Sequence, residues 1–456
     1  MPFMPKNFVS GDEGRIRSAV GAACILVCLL LVGASPAFAF MQTYSVSIDV
    51  DAGTADREDK PVDLDVDLTE FLSVIPGTLD PATLQVVEVD GVGASLNESV
   101  LFQFDPDPAF DPTSNAAGNL VFLMDGTTAA GTTRHYRLAF DLVGDCPTCP
   151  APPPVPVPVT VDSLTYQNQD TYQVTTPGAT YYYHKLGGGL ASMIDPETND
   201  WISFQDVGGS GSAGEYRGIP NLVFTSGDAS SSYFHPGFTN ATTQLVQAGP
   251  LKVTLLSTAG PAGSEWDVQW YFYPEYARMT VLSAGAADSD PYWFLYEGTV
   301  GGSMDAGDVV VRSGGIQTSA YDYAQAWEGN LPSPKWAYFR DTSASRALFL
   351  SDDQGSGTPD SYRPMGQSAG STPEMTVFGF GRVLDTSPNS LTGRLFGTGR
   401  SFTVGFAEDH TVAEDVILAS AEPLVVQTDI PGPEPVVLVS DDFSSLAFDD
   451  ALWTFV

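Results

Sequence analysis

Positive charge is what this sequence has least of. Nineteen Lys and Arg stand against 56 Asp and Glu, a formal net charge of -37 over 456 residues. Phosphate is contacted by basic side chains, so this balance excludes a nucleic-acid partner. Histidine and cysteine number four each. Cys24 and Cys28 sit in an N-terminal apolar run, which leaves Cys146 and Cys149 in `DCPTCPAPPPVPVPV`. One C-x-x-C with no second pair and no histidine beside it cannot complete a zinc site, and its prolines favour a disulfide that stiffens a linker. Long 3.6-residue periodicity is missing too, so helices are minor. No phosphate-binding glycine fingerprint, H-E-x-x-H or G-x-S-x-G occurs.

What is present begins with a targeting signal. Lys6, Arg15 and Arg17 precede the apolar run Ala19 to Val32, and Ala37 and Ala39 in `ASPAFA` are spaced for cleavage. Residues 1–39 are therefore expected to be a secretory signal peptide, with an uncleaved anchor as the competing reading. The run is short of the roughly 20 residues that a membrane span needs. No membrane span is expected after cleavage, and the protein is expected to be secreted, extracellular or at a bacterial cell surface or periplasm. The sequence as a whole is 43% apolar in composition, too hydrophobic for disorder. An acidic, folded, secreted chain fits salty water, and calcium is the one cofactor that this composition brings to mind.

Strand patterning divides the rest. `YSVSIDVDAG`, `VDLDVDL`, `LQVVEVDG`, `VLFQFD`, `NLVFLMDG` and `HYRLAFDL` alternate apolar and polar residues between turns. They predict a small N-terminal β-sandwich over 40–144, with one short helix at `TEFLSVI`, Thr69 to Ile75. In `FDPDPAFDPTSNAAGNLVF` the acids point either to a bound metal or to an Asx/Pro turn. A proline-rich linker over 145–160 follows. Strands such as `LKVTLLSTAG`, `EWDVQWYFYP` and `SFTVGFAED` then continue over 161–429, which predicts one large two-sheet sandwich. `TDIPGPEPVVLV` opens a second linker over 430–440, and 441–456 begins a segment too short to bury itself. The fold class is all-β.

Two stretches carry a resemblance. `YYYHKLGGGLASMIDPETNDWISF` has a glycine-rich lead-in, a strand `LASMI`, a turn `DPETND` and a returning strand `WISF`. It resembles the opening hairpin of galactose-mutarotase-like supersandwiches, found in sugar epimerases, glycoside hydrolases and polysaccharide lyases. `SDDFSSLAFDDALWTFV` resembles the first strand of concanavalin-A-like, laminin-G-type jelly rolls, here truncated. The resemblance implies a multidomain protein of carbohydrate use, with polysaccharide as partner; the oligomeric state is not legible.

Candidate site residues cluster in Gly- and Pro-bounded loops. `GEYRGIPN` holds Glu215, Tyr216, Arg217 and Asn221, and `YFHPGFTN` holds Tyr233, His235 and Asn240. A histidine exchanges protons near neutral pH. Glu215, Arg217, Tyr233 and His235 are the catalytic candidates: Arg217 with Tyr233 and His235 suits the lyase pattern, and an acid with His235 suits the mutarotase or hydrolase pattern. Asn221, Asn240, Trp293, Tyr296, Glu297, Trp336 and Arg363 are candidates for sugar contact, although strand alternation must bury part of the tryptophans. Asp352, Asp353 and Asp360 in `SDDQGSGTPDSYRPMG` either ligate calcium or form a solvated turn. His184 is the next candidate after His235, while His135 and His410 have structural settings. Two functions stay open: an enzyme, lyase or glycoside hydrolase, or a non-catalytic carbohydrate-binding or scaffolding protein.

Overall fold

The computed structural model describes residues 42–145, 156–204, 220–224, 241–260, 265–285, 291–302, 305–319, 326–365, 375–384, 391–429 and 437–440. The chain is all-β, built from antiparallel sheets, with two short α-helices and one 3-10 turn among the described residues. A six-stranded sheet runs in the order Val437–Ser440, Leu424–Thr428, Tyr44–Asp51, Thr133–Leu142, Leu79–Val89, Ser95–Asn97. Facing it is a three-stranded sheet of Arg57–Asp67, Ala117–Thr128 and Phe102–Pro106. Alternation decides the core: Val46, Ile48 and Val50 point inward from one sheet, Val62, Leu64 and Val66 from the other. The expected helix forms over Thr69–Val74 and buries Phe71 and Leu72. In the acidic turn, Asp111 Oδ1 accepts from the backbone N–H of Thr113 and Ser114, each at 2.9 Å. That is an Asx turn.

Leu424–Thr428, counted from sequence with the larger sandwich, pairs instead with Tyr44–Asp51. Its `LVVQT` alternation fits either sheet, and Leu424 and Val426 complete the N-terminal core.

The second core lies among sheets of nine, five and four strands. Trp270, Phe272, Phe294, Phe378, Phe380 and Phe402 belong to it, with Phe294 and Phe402 stacked at 4.4 Å. `WISF` does not return as a strand: Ile194 and Asp200 form a single bridge, and Asp200 Oδ1 accepts from the N–H of Ile202 and Ser203. Trp201 nevertheless packs inward, its indole N–H donating 3.0 Å to Asp195 Oδ2.

The two cores are bonded to each other. Val121 and Leu123 share a buried cluster with Leu251, Tyr273, Tyr276, Trp336 and Ile417. Lys252 Nζ reaches Asp63 at 3.0 Å, and Tyr273 donates to the same carboxylate at 2.7 Å. The helix Ala413–Ala421 ends between them. Arg57 donates to its Ala419 carbonyl, while Lys60 and Arg278 both donate to Ser420 at 2.8 Å. Cations at a helix C-terminus satisfy its free carbonyls and oppose the negative end of its dipole.

Candidate functional site

The site is built on the four-stranded sheet ordered Gly189–Ile194, Thr180–His184, Gln169–Thr175, Thr160–Tyr166. Along Thr180–His184 successive side chains take opposite faces. Tyr181 and Tyr183 enter the core, and the Tyr183 hydroxyl meets Ser257 Oγ at 2.7 Å. Tyr182 and His184 take the outer face. A bulge between Tyr182 and Tyr183 shifts the register against the neighbouring strand. The hairpin at Gln167 and Asn168, with φ of 47° and 59°, reverses the chain as a tight two-residue turn beside Tyr166.

On that outer face the half-buried Tyr166 and Tyr182 rings pack with centroids 4.3 Å apart, tilted by 30°. His184 is buried beside them, 6.0 Å from the Tyr166 ring and 5.1 Å from Phe204, which it meets edge-on. The Tyr166 hydroxyl lies 3.5 Å from Asp200 Oδ2, the outer limit of a hydrogen bond. Burial raises the Asp200 carboxyl above the usual range against its backbone hydrogen bonds. Burial and then the Asp200 charge push the Tyr166 phenol up to about 12. The group therefore offers two aromatic faces, a carboxyl that keeps its proton to higher pH, and a phenol that stays a donor.

Glu215, Tyr216, Arg217, Tyr233, His235 and Asn240 lie outside the described residues. Residues that flank their segments are described, and three of them bond to Leu186–Ala191, the turn after His184 and the start of the next strand. Phe204 N–H donates to Ala191 at 3.4 Å, and Ala241 N–H to Leu186 at 3.0 Å. The Asn221 amide donates to the Gly188 carbonyl. Asn221 is thus a buried framework residue; `KLGGGLA` bonds residues on either side of 205–219 and the residue after 225–240, while Phe224, before 225–240, pairs with Tyr292.

The other candidates are elsewhere. Every residue of Tyr292–Glu297 is buried, so Trp293, Tyr296 and Glu297 face packed protein, and the Tyr296 hydroxyl donates 2.8 Å to the Trp201 carbonyl. Trp336 is buried and stacked on Tyr338 at 5.9 Å. Arg363 is half-buried on Asp360–Met365. His135 pairs with Asp49 at 2.7 Å, and His410 lies 3.3 Å from its neighbour Asp409.

The three acids of the suggested calcium loop each meet a cation. Asp352 takes Arg400 on both oxygens, at 2.7 and 2.8 Å. Asp353 faces Arg278 at 3.3 Å and accepts from Ser351, Ser401 and Thr403. Asp360 faces Lys335 at 2.7 Å. Their oxygens are turned to arginine, lysine and hydroxyl donors rather than to one point. No group of three His, Cys, Asp or Glu suited to a metal occurs among the described residues. No helix among them is long and apolar enough to cross a membrane.

Tyr166, Tyr182 and Asp200 were not singled out from sequence. Period two does put Tyr182 opposite Tyr181 and Tyr183, but which face meets solvent depends on the neighbouring sheets.

No family model and no curated protein matches the chain. Among solved structures, a protein in the glycosyl hydrolase family 38 from Enterococcus faecalis aligns with TM-score 0.46 and 10% identity, over 85% of this chain and 48% of that one. The protein HI1317 aligns with TM-score 0.37 and 11% identity, over 54% of this chain and 96% of that one. The chain thus spans about half the length of the first. At these scores neither likeness bears on fold or function.

Proposed function

We propose that the protein is a secreted carbohydrate-active protein that binds polysaccharide across the outer face of its four-stranded sheet. The observation that carries this reading is the half-buried Tyr166–Tyr182 pair with Asp200 beside it. A sugar ring presents C–H faces to an aromatic floor and hydroxyls to a carboxyl, and these side chains supply both. Under this reading the larger sandwich, without Leu424–Thr428, is mutarotase-like, 441–456 opens a lectin-like jelly roll, and 1–39 directs export.

Catalysis is the stronger form of the same proposal. The hydrogen bonds of Phe204, Asn221 and Ala241 to Leu186–Ala191 favour it, because in sequence Glu215 and Arg217 fall between Phe204 and Asn221, and Tyr233 and His235 shortly before Ala241. His235 or Tyr233 then moves the proton, and Arg217 neutralises an acidic sugar. The test replaces His235 and Arg217 singly by Ala and assays binding and turnover on neutral and uronate polysaccharides. Turnover lost with the fold intact supports a lyase or hydrolase. Binding weakened, with no turnover even in the parent, supports a binding or scaffolding protein. Variants that match the parent throughout remove these residues from the site.

A further inference from the structure

The strands Val309–Arg312 and Lys335–Arg340 pair antiparallel, with Val309 opposite Arg340 and Val310 opposite Phe339. Asp308 and Asp341 stand one position beyond the first of these pairs. Val310 and Phe339 point into the larger core, so alternation puts the two acids opposite one another on the same inner face, at the end of that core. Both are buried, at 1% and 2% exposure. The Tyr296 ring packs 4.5 Å from Phe339. Burial and then the charges of Asp341, Asp200 and Asp308 hold its phenol well above the usual range.

The turns that carry the acids are at the surface. Asp305, Ala306, Gly307, Thr342 and Ser343 are exposed, and Ser343 donates to Asp341 Oδ1 through its N–H at 2.7 Å and its hydroxyl at 2.5 Å. The pair thus lies directly beneath solvent-facing atoms. Asp308 Oδ1 accepts from Thr342 N–H at 3.1 Å and Oδ2 from Asp305 N–H at 2.7 Å, which leaves each oxygen a second lone pair. Asp341 Oδ2 is buried and meets no donor among the described residues. Asp352, Asp353 and Asp360 each meet a cation, whereas Asp308 and Asp341 meet none among the described residues. Like charges directly opposite in a sheet repel, and a buried carboxylate oxygen without a donor is costly. Two such acids stand together when a proton or a cation lies between them.

We infer that Asp308 and Asp341 hold a calcium ion at this end of the larger sandwich. All the donors here are hard oxygens. Calcium accepts carboxylate, carbonyl, hydroxyl and water oxygens in irregular arrangements, while magnesium demands a near-ideal octahedron. Two carboxylates leave the remaining places to water and neutral oxygens, and the exposed turns are the ion's route from solvent. The seat adjoins the Tyr296 hydroxyl, which is bonded to the Trp201 carbonyl next to Asp200. The ion therefore braces the turn beside the Tyr166–Tyr182 face. The inference stands apart from the polysaccharide reading and does not need it.

A chain with a net charge of -37 gathers any divalent ion at its surface, so the test compares calcium with magnesium. The full chain, stripped of metal with a chelator, is melted in calcium, magnesium or sodium chloride at matched ionic strength, and calcium binding is followed by calorimetry. Calcium is expected to half-saturate one site between about 0.1 and 1 mM and to raise the melting temperature more than magnesium does. Asp308→Asn and Asp341→Asn are expected to weaken that binding by about tenfold or more and to remove calcium's advantage. Glu70→Gln, which removes one exposed charge from Thr69–Val74, keeps it. Should neither Asn variant fold, hydrogen exchange in the parent decides: calcium, more than magnesium, slows the N–H groups of Asp305 and Thr342 that bond Asp308. Equal effects of the two ions, as a pair sharing a proton would show, overturn the inference. So does a calcium advantage kept in both Asn variants, or slowed exchange confined to other parts of the chain.

Discussion

Replacing Lys335 by Met isolates the cost of a charge stranded in the larger core. Lys335 Nζ and Asp360 Oδ2 are 2.7 Å apart, with both side chains at 0% exposure. Nζ also donates 2.7 Å to the Thr358 carbonyl, and Asp360 accepts 3.1 Å bonds from the N–H of Leu331 and Gly381. Met fills the space of the lysine stem, so the loss is chiefly electrostatic. Two backbone N–H groups remain to hold a buried carboxylate, and breaking such a pair costs about 3–5 kcal/mol. Lys335→Met with Asp360→Asn removes both charges and is expected to recover at least half of that loss. Burial already raises the Asp360 carboxyl, and removing the cation raises it further. A folded-state pKa above the unfolded value means that the native state takes up the proton first, so the penalty shrinks as pH falls from 7 towards 5. Urea denaturation of the parent, single and double variants at both pH values is the assay. A single variant within about 1 kcal/mol of the parent at pH 7 refutes the reasoning. Equal loss in single and double variants refutes it too.

Other outcomes follow from the same geometry. Asp195→Ala leaves the buried Trp201 indole and the N–H groups of Glu197 and Asn199 without their acceptor, and should cost about 1–3 kcal/mol in a urea melt. Burial pushes Asp352 up to about 6 against the pull of Arg400, so its contribution to stability is full below the unfolded value near 4 and fades as pH rises through about 6. Asp352→Asn should flatten the melting temperature across that window relative to the parent, and an unchanged slope would contradict the burial argument. Lys60→Met removes a donor from both the Ser420 carbonyl and the Tyr276 hydroxyl. It should speed hydrogen exchange at the end of Ala413–Ala421, with little effect near Tyr182.

The strands of the N-terminal core and the helix at Thr69–Val74 were legible because each depends on local alternation and turn residues. Leu424–Thr428 was placed in the wrong sandwich, because its partner Tyr44–Asp51 lies more than 370 positions away and `LVVQT` reads alike in any sheet. Asp352, Asp353 and Asp360 looked open to calcium because the cations that meet them are distant in sequence. Arg278, Lys335 and Arg400 arrive from other strands. Trp293 and Tyr296 looked available for sugar because one strand does not reveal that both of its faces are covered. Tyr182 and His184 of the outer-face site lay in the run `YYYH`, which sequence reading took as the start of a hairpin with His184 as a second-choice candidate. Alternation split it into two buried core tyrosines and a half-buried Tyr182 over buried His184.

The most direct measurement is binding of the full-length chain to a panel of neutral and uronate polysaccharides, parent against Tyr166→Ala with Tyr182→Ala. Loss of the ring pair should weaken binding by at least about fivefold in a chain that still melts cooperatively. A parent that binds no polysaccharide, or a double variant that binds as the parent does, would contradict the outer face as the site.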